Sequence, residues 1–165
     1  MLECEREMVD QVLEDSIETV RKLLTKHEKY LSGNETATRI LIIDPVLTAL
    51  GWDVRCPKFV KLEQVFNGNK TDYILLQAND GILAVVEAKP VYSALPRHQK
   101  QASGYATEVG APYTILTNGV RWEAWEMVPL RPRNENVFVE VSLTTGNVKE
   151  IASTLRKLAR GVIGK

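Results

Sequence analysis

The spacing of apolar residues predicts a long helix at the start of the chain. Apolar residues recur there every three or four positions, the period of an amphipathic helix. They are Val9, Val12, Leu13, Ile17, Val20 and Leu24. We predict that this helix runs to about Leu31, where Ser32-Gly33-Asn34 ends it. The helix, residues 1–32, either packs on its own domain or serves in dimerisation, and residues 33–165 form the main domain.

A second helix is predicted to begin at Asn34 or Glu35 and to end near Leu50-Gly51. Asn34 is a suitable N-cap, and a glutamate in the first turn suits the helix dipole. Pro45 lies inside this pattern, so we expect a kink or a short break there.

After Asp53 the period of the apolar positions falls from 3.6 to about two, which predicts strands. The predicted elements are a loosely alternating stretch at 53–66, strands at 72–77, 82–88, 113–117, 120–127 and 137–143, and helices at 96–109 and 147–160. The predicted turns are Asn67-Gly68-Asn69, Asn79-Asp80-Gly81 and Asn118-Gly119. The strand–helix–strand step from Glu87 to Tyr113 implies a parallel crossover. We therefore expect an α/β protein with a mixed sheet flanked by helices.

Composition restricts the class of protein. The chain has 165 residues, of which 44% are hydrophobic and 25% charged, values typical of a globular domain. It has no run of about 18 apolar residues that would span a membrane. The acidic N-terminus lacks an apolar signal core, so we expect a cytoplasmic protein. Cys4 and Cys56 are accordingly expected to be reduced thiols.

The charges are balanced overall but unevenly distributed. The chain has 21 basic and 21 acidic residues, which argues against a strongly basic nucleic-acid coat protein. Residues 1–30 contain eight acidic and five basic residues, so their net charge is −3 and that of the remainder is +3. Basic residues of the remainder cluster at Arg55, Lys58 and Lys61, at Arg97, His98 and Lys100, and at Arg131 and Arg133. These clusters could hold a phosphate backbone locally.

Candidate chemistry begins at the end of the apolar strand 82–88. Glu87 and Lys89 are two residues apart and therefore project from the same face of that strand. Asp72 begins the preceding strand of the predicted hairpin. A two-residue loop at Asn79-Asp80 would place Asp72 opposite Glu87, and one at Asp80-Gly81 would place it opposite Lys89; both registers put all three side chains on one face. A three-residue loop would instead place Asp72 opposite Ala88.

Two neighbouring carboxylates repel each other, and a divalent cation removes that cost. Hard oxygen ligands suit Mg²⁺ or Mn²⁺. A bound metal ion can activate water and stabilise a leaving oxygen, while a nearby lysine offsets charge on a phosphate. This combination suits hydrolysis of phosphodiester bonds. A structural cluster of Asp72, Glu87 and Lys89 on a sheet edge is the alternative.

Several stretches, in order, resemble a known family. Lys70-Thr71-Asp72-Tyr73 and Val85-Val86-Glu87-Ala88-Lys89 look like the PD-(D/E)xK nuclease motif. Within that superfamily the chain resembles the N-terminal nuclease domain of type I restriction enzyme R subunits. The further matching stretches are Glu35 with Thr38-Arg39, Ile43 to Leu47, Leu50 to Asp53, the QxxxY-like Gln101 to Tyr105, and Leu116 to Gly119 with Trp122 and Trp125. The resemblance covers about residues 34–127 and implies a restriction-endonuclease-like fold.

The resemblance also implies roles for individual residues. Asp72 and Glu87 would bind Mg²⁺, with Mn²⁺ as a substitute, and the Ala88 carbonyl would be a third ligand. Lys89 would position or activate the attacking water. Glu35 would approach the metal from the second helix, although a capping charge is the alternative.

Gln101 and Tyr105 lie one helical turn apart and would face the site together. Gln101 would orient the substrate or Lys89, and Tyr105 would support it; an ordinary half-exposed helix face is the alternative. His27 and His98 lack partners at ligand spacing and are expected to be structural or solvated. Trp122 and Trp125 lie on opposite faces of a strand, so at least one belongs to the core.

Two departures from the family are visible. Thr71 stands where the motif name has proline. The sequence shows no P-loop, helicase motor or specificity domain, so we expect something other than a complete restriction subunit. The leading hypothesis is a Mg²⁺-dependent deoxyribonuclease that acts on DNA as a dimer or with partner proteins. The alternatives are a non-catalytic DNA-binding or assembly protein on the same fold, or a helical oligomerisation module.

Overall fold

The computed structural model describes residues 3–165, with side chains from Glu7 onward. Cys4, predicted to be a reduced thiol, lies outside the described side chains. Cys56 is a free, half-buried thiol, as predicted. Within residues 3–165, the structure contains no helix long and apolar enough to cross a membrane.

The helices and strands alternate as the sequence predicts. The α-helices are α1 (Glu3–Leu31), α2 (Glu35–Thr38), α3 (Asp44–Ala49), α4 (Gln99–Val109) and α5 (Val148–Leu155). The strands are β1 (Val60–Leu62), β2 (Val65–Phe66), β3 (Asn69–Lys70), β4 (Tyr73–Leu76), β5 (Ile82–Ala88), β6 (Tyr113–Thr117), β7 (Arg121–Glu126) and β8 (Val137–Ser142). Short 3₁₀ turns lie at Leu95–His98, Arg133–Glu135 and Arg156–Leu158.

Six strands form one mixed sheet in the order β1-β4-β5-β6-β7-β8, and β2 and β3 form a separate small hairpin. β5 and β6 run parallel, whereas every other neighbouring pair in the large sheet is antiparallel. The parallel pair is joined through α4, which confirms the predicted crossover. The mixed sheet flanked by helices is therefore confirmed.

The two faces of the sheet are covered differently. α4 packs on one face, where Ala102 and Ala106 contact the side chains of Leu116 and Val85 respectively. The opposite face belongs to the main core, which includes buried residues of α1, α3 and α5. Trp122 and Trp125, on opposite faces of β7, are both buried, so both belong to the core.

Most of the apolar stripe of α1 is part of the main core. Leu13, Ile17, Val20 and Leu24 are each at most 5% exposed, whereas Val12, predicted on the same stripe, is 47% exposed. α1 packs on α3 and α5. The predicted end at Leu31 is confirmed, although the backbone bends at His27, where φ is −129° and ψ is 24°. These contacts show that the stripe packs within this chain; dimerisation through α1 stays a prediction.

The predicted break near Pro45 takes the form of a π-helical turn at Arg39–Ile43, between α2 and α3. There the Asp44 N–H donates to the Arg39 carbonyl, five residues back. Pro45 has no N–H, and its ring would crowd the carbonyl four residues back. The regular hydrogen-bond pattern of an α-helix therefore cannot continue through Pro45. The second predicted helix is thus three short helical segments. Pi-turns of this kind occur frequently at functional sites.

The loop between β4 and β5 differs from both predicted two-residue turns. The Gln77 N–H donates to the Gly81 carbonyl at 2.8 Å, which leaves the three residues 78–80 in the loop. A register shift between Leu75 and Leu76 then compensates for the longer loop, because a bulge adds one residue to one strand. Beyond the bulge Tyr73 pairs with Val86, and continuing this register sets Asp72 opposite Glu87.

Two further boundaries differ from the predictions. Asn118 and Arg121 flank the turn between β6 and β7, so its central residues are Gly119 and Val120 instead of Asn118-Gly119. The Asn118 side chain accepts from the N–H groups of both Val120 and Arg121, and so acts as a turn-stabilising acceptor. The last helix, predicted at 147–160, ends at Leu155 and continues only as the 3₁₀ turn Arg156–Leu158.

Candidate active site

The carboxyl end of β5 carries a buried ion pair. Glu87 is only 3% exposed. Lys89 Nζ lies 2.6 Å from Glu87 Oε1. The backbone of Lys89 is held in place because its N–H donates to the Thr117 carbonyl at the end of β6. The two residues therefore project together at the edge where the parallel strands end, as their spacing predicts.

The second oxygen of Glu87 has no partner among the side chains and backbone groups that the structure describes. Oε2 is buried and accepts no hydrogen bond from them. A buried carboxylate oxygen without a donor is costly unless the group is protonated or bound to a cation. Burial raises the pKa of Glu87 to about 7; the hydrogen bond from Lys89 opposes this rise and the charge of Asp72 adds to it. Glu87 therefore changes charge close to neutral pH.

Lys89 remains a cation at neutral pH. Burial lowers its pKa, but the hydrogen bond to Glu87 and the charges of Glu87, Glu35 and Asp72 outweigh burial, and the net pKa lies above the usual value. A protonated ammonium donates hydrogen bonds but cannot accept a proton. Lys89 can therefore hold a water molecule or a phosphate oxygen, whereas it is unsuited to the role of general base.

Asp72 lies immediately before β4 and reaches the end of β5. Its Oδ2 accepts from the Ala88 N–H at 2.8 Å. Its Oδ1 is 3.3 Å from an Nη atom of Arg39. The side chain is 13% exposed. The structure thus brings Asp72, Glu87 and Lys89 together, with the backbone of Ala88 as the link between the two carboxylates.

A network around Arg39 extends the site, and the sequence analysis attached no role to it. We call Arg39, Asp44, Glu63, Asp72 and Tyr73 the Arg39 cluster. Besides Asp72, Arg39 binds Glu63 Oε1 at 3.0 Å and the Tyr73 hydroxyl at 3.2 Å. The Tyr73 hydroxyl in turn donates to Asp44 Oδ1 at 2.7 Å. The guanidinium also lies 4.8 Å from the centre of the Tyr73 ring.

These five residues come from the π-helical turn, from α3, from the loops next to β1 and β4, and from β4 itself. No sequence spacing links them, because only the fold brings these segments together. The sequence carried one indication: Arg39 stood in a stretch that resembled the family, although no role was attached to it. Burial and the bond to Asp44 raise the pKa of Tyr73. Burial lowers the pKa of Arg39, but its hydrogen bonds to Tyr73 and Glu63 and the nearby charges outweigh burial and raise it above the usual value. Both groups keep their protons at neutral pH.

Glu35 lies near this site but touches neither carboxylate. It is the first residue of α2, and Asn34 caps that helix by accepting from the Ala37 N–H at 3.0 Å. Its negative charge raises the pKa values of Glu87 and Lys89, which places it within electrostatic range of both. The roles of capping charge and outer metal partner are both compatible with this position.

Gln101 and Tyr105 meet on α4 as predicted. Gln101 Nε2 donates to the Tyr105 hydroxyl at 2.7 Å, on the exposed side of the helix. His98, predicted to be structural or solvated, occupies the N-cap position of α4 but makes no side-chain capping bond. Burial lowers the pKa of His98 and the charge of Lys89 lowers it further, whereas hydrogen bonding to Gln101 opposes both. Lys89 is therefore within electrostatic range of the start of α4.

A second buried carboxylate lies in the same row of the sheet. Glu123 on β7 and Glu87 on β5 are both paired with Leu116 of β6, so they share a face. Glu123, 3% exposed, binds Arg133 and accepts from Gln99 Nε2 at 2.8 Å. Sequence reasoning missed this pair, although Glu123 stands inside the apolar run of β7 and a charge there requires a partner.

The donor set around Glu87 suits a hard divalent cation. Among the side chains that the structure describes, no group of three or more His, Cys, Asp or Glu residues is gathered to hold a metal ion. Mg²⁺, however, keeps several water ligands and commonly takes only one or two carboxylates from the protein. Asp72 and the unpartnered Oε2 of Glu87 meet that requirement, so the residues fit the ion.

A cavity of about 670 Å³ lies elsewhere, between α1 and the segment 40–55. Of the site residues and the Arg39 cluster, only Asp44 lines it. The site is therefore identified by its buried charges and not by cavity volume.

Two solved structures are similar to this chain. The type IIG restriction endonuclease BpuSI matches with a TM-score of 0.54 and 18% identity, over 73% of this chain and 15% of that chain. A fragment assigned as an HsdR subunit of a type I restriction enzyme from Vibrio vulnificus YJ016 matches with a TM-score of 0.51 and 22% identity, over 75% of this chain and 25% of that chain. The fold is restriction-endonuclease-like. No family model and no curated protein matches the sequence.

The likeness has defined limits. The chain spans 15% and 25% of the lengths of these two neighbours. At such low identity the likeness establishes the fold alone. The restriction-endonuclease-like architecture predicted from the sequence is confirmed; the assignment of the PD-(D/E)xK motif to Asp72, Glu87 and Lys89 stays a prediction.

Proposed function

We propose that this chain is a metal-dependent nuclease that hydrolyses DNA phosphodiester bonds. One observation carries the proposal: a buried carboxylate oxygen, Glu87 Oε2, has no donor and lies in a site that also contains Asp72 and the ammonium of Lys89. Burying such an atom without a partner is unfavourable for folding. A cation-binding task accounts for its retention, and the restriction-endonuclease-like fold is one on which that task occurs.

Asp72 and Glu87 are the proposed protein ligands of Mg²⁺ or Mn²⁺. The Ala88 carbonyl and Glu35 are proposed as further partners, the latter through water. When bound, the ion would supply Lewis-acid chemistry to a phosphate and an activated water. Asp72 is suited to bind a cation because its carboxylate is already oriented by the Ala88 N–H at 2.8 Å.

Lys89 is proposed to position the attacking water and to offset charge on the phosphate. One of its three N–H groups is directed at Glu87 Oε1, at 2.6 Å. Two N–H groups therefore remain for a water molecule or a phosphate oxygen. Gln101 and Tyr105 are proposed to orient the substrate or Lys89 from α4, because that helix packs on the face of the sheet that carries Glu87.

DNA is the proposed substrate. Both structural neighbours are described as restriction enzymes, which supports this choice. Arg97 and Lys100 are exposed at the start of α4, on the side of the sheet that carries Glu87. Basic side chains at such a place can contact the phosphate backbone, which is where most protein–DNA contacts are made. Dimerisation through α1 and a cytoplasmic location stay predictions.

The test is a cleavage assay on linear and supercoiled DNA in Mg²⁺ or Mn²⁺. We expect the wild type to cut, and Glu87→Gln and Lys89→Met to reduce the rate by at least about 100-fold, as expected for groups that act on the transition state. Glu140→Ala is the matched control, because Glu140 is an exposed glutamate opposite Glu123 in the same row of the sheet. If the wild type cuts nothing, or if both site variants cut like the control, the enzymatic proposal fails.

The same variants address the alternative of a non-catalytic DNA-binding or assembly protein. That alternative predicts DNA binding without cleavage, unaffected by Glu87→Gln. Binding would then depend on Arg97 and Lys100, and its affinity would fall steeply with salt.

A further inference from the structure

We propose that Arg39 is a resident counter-cation of Asp72 that competes with the divalent metal ion and thereby sets how much metal the site holds. The inference rests on the proposed function, since it concerns the affinity of the same site. Arg39 touches Asp72, one of the two proposed ligands, at 3.3 Å. It is thus placed to act as a positioning residue for the metal site.

The four oxygens of the two carboxylates are not equivalent. Asp72 Oδ1 contacts Arg39, Asp72 Oδ2 accepts from the Ala88 N–H, and Glu87 Oε1 is paired with Lys89. Three of the oxygens therefore have a positively polarised partner, and within the described part of the chain only Glu87 Oε2 has none. Without Arg39, Asp72 would keep its hydrogen bond from the Ala88 N–H but would lose the cation that it touches.

Arg39 is held beside Asp72 by other contacts. Its Nε binds the Tyr73 hydroxyl at 3.2 Å and its Nη1 binds Glu63 at 3.0 Å. The side chains of Arg39 and Asp72 are only 16% and 13% exposed, so solvent screens this pair less than an ordinary surface pair. The guanidinium is thus held in a position where it repels any cation that binds to Asp72.

Removal of the positive charge of Arg39 should change the metal affinity in one direction. Asp72 and Glu63, both bound to Arg39, are carboxylates, so without the guanidinium the site attracts cations more strongly. Two unit charges about 4 Å apart change an equilibrium by roughly fivefold even at the dielectric constant of water. Asp72 would keep its orientation through Ala88, and Tyr73 would keep its bond to Asp44. Arg39→Met is therefore expected to tighten metal binding.

The chain offers a matched control in Lys70. Lys70 binds the other oxygen of Glu63 at 2.9 Å and is 52% exposed. Among the described side chains, its ion pair is with Glu63 and not with Asp72. Lys70→Met changes the net charge by the same amount as Arg39→Met, but the lost charge is screened by solvent. Its effect on metal affinity should stay below about twofold.

The experiment measures Mn²⁺ affinity by titration calorimetry on the full chain, without DNA. Arg39→Met should bind Mn²⁺ at least about fivefold more tightly than the wild type. Arg39→Lys, which keeps the charge, should restore an affinity close to that of the wild type. Arg39→Gln provides a second uncharged variant if the methionine variant does not fold, which far-UV circular dichroism checks. Glu87→Gln should remove the binding in every background.

The outcomes separate the two proposals. Tighter binding in the uncharged variants, with Lys70→Met and Arg39→Lys unchanged, supports the inference even if the wild type itself binds weakly. Equal or weaker binding in Arg39→Met and Arg39→Gln overturns the inference, while Glu87-dependent binding by the wild type still supports the proposed function. A purely structural role for Arg39 predicts this second result. If no variant binds Mn²⁺, the proposed function and the inference both fail.

Discussion

Lys89 donates a 2.6 Å hydrogen bond to one oxygen of Glu87 and leaves the other oxygen, buried, without a donor. If Lys89 served only to neutralise Glu87, the protein would gain nothing from burying an oxygen without a donor beside Asp72, a second carboxylate. The half-satisfied pair is costly to the folded protein. The cost can be measured in two ways: through the pH dependence of stability, and through binding of the metal ion that is proposed to relieve it.

The first prediction concerns stability and pH in metal-free buffer with EDTA. Burial raises the pKa of Glu87 to about 7 in the folded protein, from an ordinary value of 4.5. A raised pKa means that the folded state binds the proton more tightly, so this contribution is fully present below pH 4.5 and is lost as the pH rises through 7. Relative to Glu87→Gln, the wild type should therefore lose up to roughly 3 kcal/mol between pH 4.5 and pH 8.

Urea unfolding of both proteins at pH 5 and pH 8 measures this difference. Glutamine keeps the shape of the side chain but does not titrate, so the comparison removes contributions from the other groups. A stability difference that is the same at both pH values would contradict the prediction.

The second prediction concerns the buried pair on β7. Arg133 binds Glu123 and lies 4.6 Å from the centre of the Trp125 ring. Arg133→Met would leave Glu123 buried with only Gln99 as a partner, and should destabilise the fold by about 2 to 4 kcal/mol. Mn²⁺ affinity should not change, because Arg133 touches neither Asp72 nor Glu87.

Chemical denaturation and Mn²⁺ titration of the same protein samples test both parts of this prediction. Arg121→Met is the control, since Arg121 pairs with Glu140 at the exposed surface and both side chains are more than half exposed. Such a surface pair contributes at most about 1 kcal/mol. Equal losses of stability in the two variants would contradict the prediction, because the Arg133–Glu123 pair would then contribute no more than a surface pair.

The third prediction concerns the turn that lies against the π-helical turn Arg39–Ile43. Gly119 has a φ of 79°, and a Cβ added there would lie 3.0 Å from Ile42 Cγ2 and 3.1 Å from Thr38 Cγ2. Gly119→Ala should destabilise the fold by about 2 to 4 kcal/mol, combining backbone strain with overpacking. Gly110→Ala is matched, because Gly110 has a φ of 69° and open space around it. It should cost only about 1 to 2 kcal/mol of backbone strain.

The difference between the two alanine variants in thermal or urea unfolding isolates the steric contribution. If both lose the same stability, the turn moves away from the helical segment without cost.

The fourth prediction separates the packing and dimerisation roles of α1. Leu13 is fully buried in the main core, so Leu13→Ala should cost about 2 to 5 kcal/mol. Val12, its neighbour, is 47% exposed, so Val12→Glu should change stability by less than about 1 kcal/mol. If α1 also forms a dimer through its outer face, Val12→Glu should abolish self-association without unfolding the protein.

Sedimentation velocity over a range of concentrations measures the self-association. This substitution is a cleaner test than deleting residues 1–30, because deletion would remove part of the core. A wild type that sediments as a monomer at all concentrations contradicts the dimerisation prediction.

Local patterns determined much of the architecture. The 3.6-residue period of α1, the apolar runs of β4 and β5 and the crossover through α4 were readable in sequence. Burial on one face imposes a period, and burial on both faces of a strand gives a continuous apolar run. Glu87 and Lys89 were placed on one face because side chains alternate along a strand. Asn34 and Gly110 marked helix ends because each satisfies a local backbone requirement that few other residues meet.

Only the tertiary structure decided how the site is assembled. The loop after β4 has three residues and not two, and a bulge at Leu75 and Leu76 restores the register that sets Asp72 opposite Glu87. A bulge depends on how a strand pairs and packs within its sheet, so no local pattern of residues predicts it. The contact between Arg39 and Asp72 joins residues 33 positions apart. The sequence therefore determined which groups are present at the strand ends, and the fold decided which charges those groups meet, because electrostatic partners are set by distance in space.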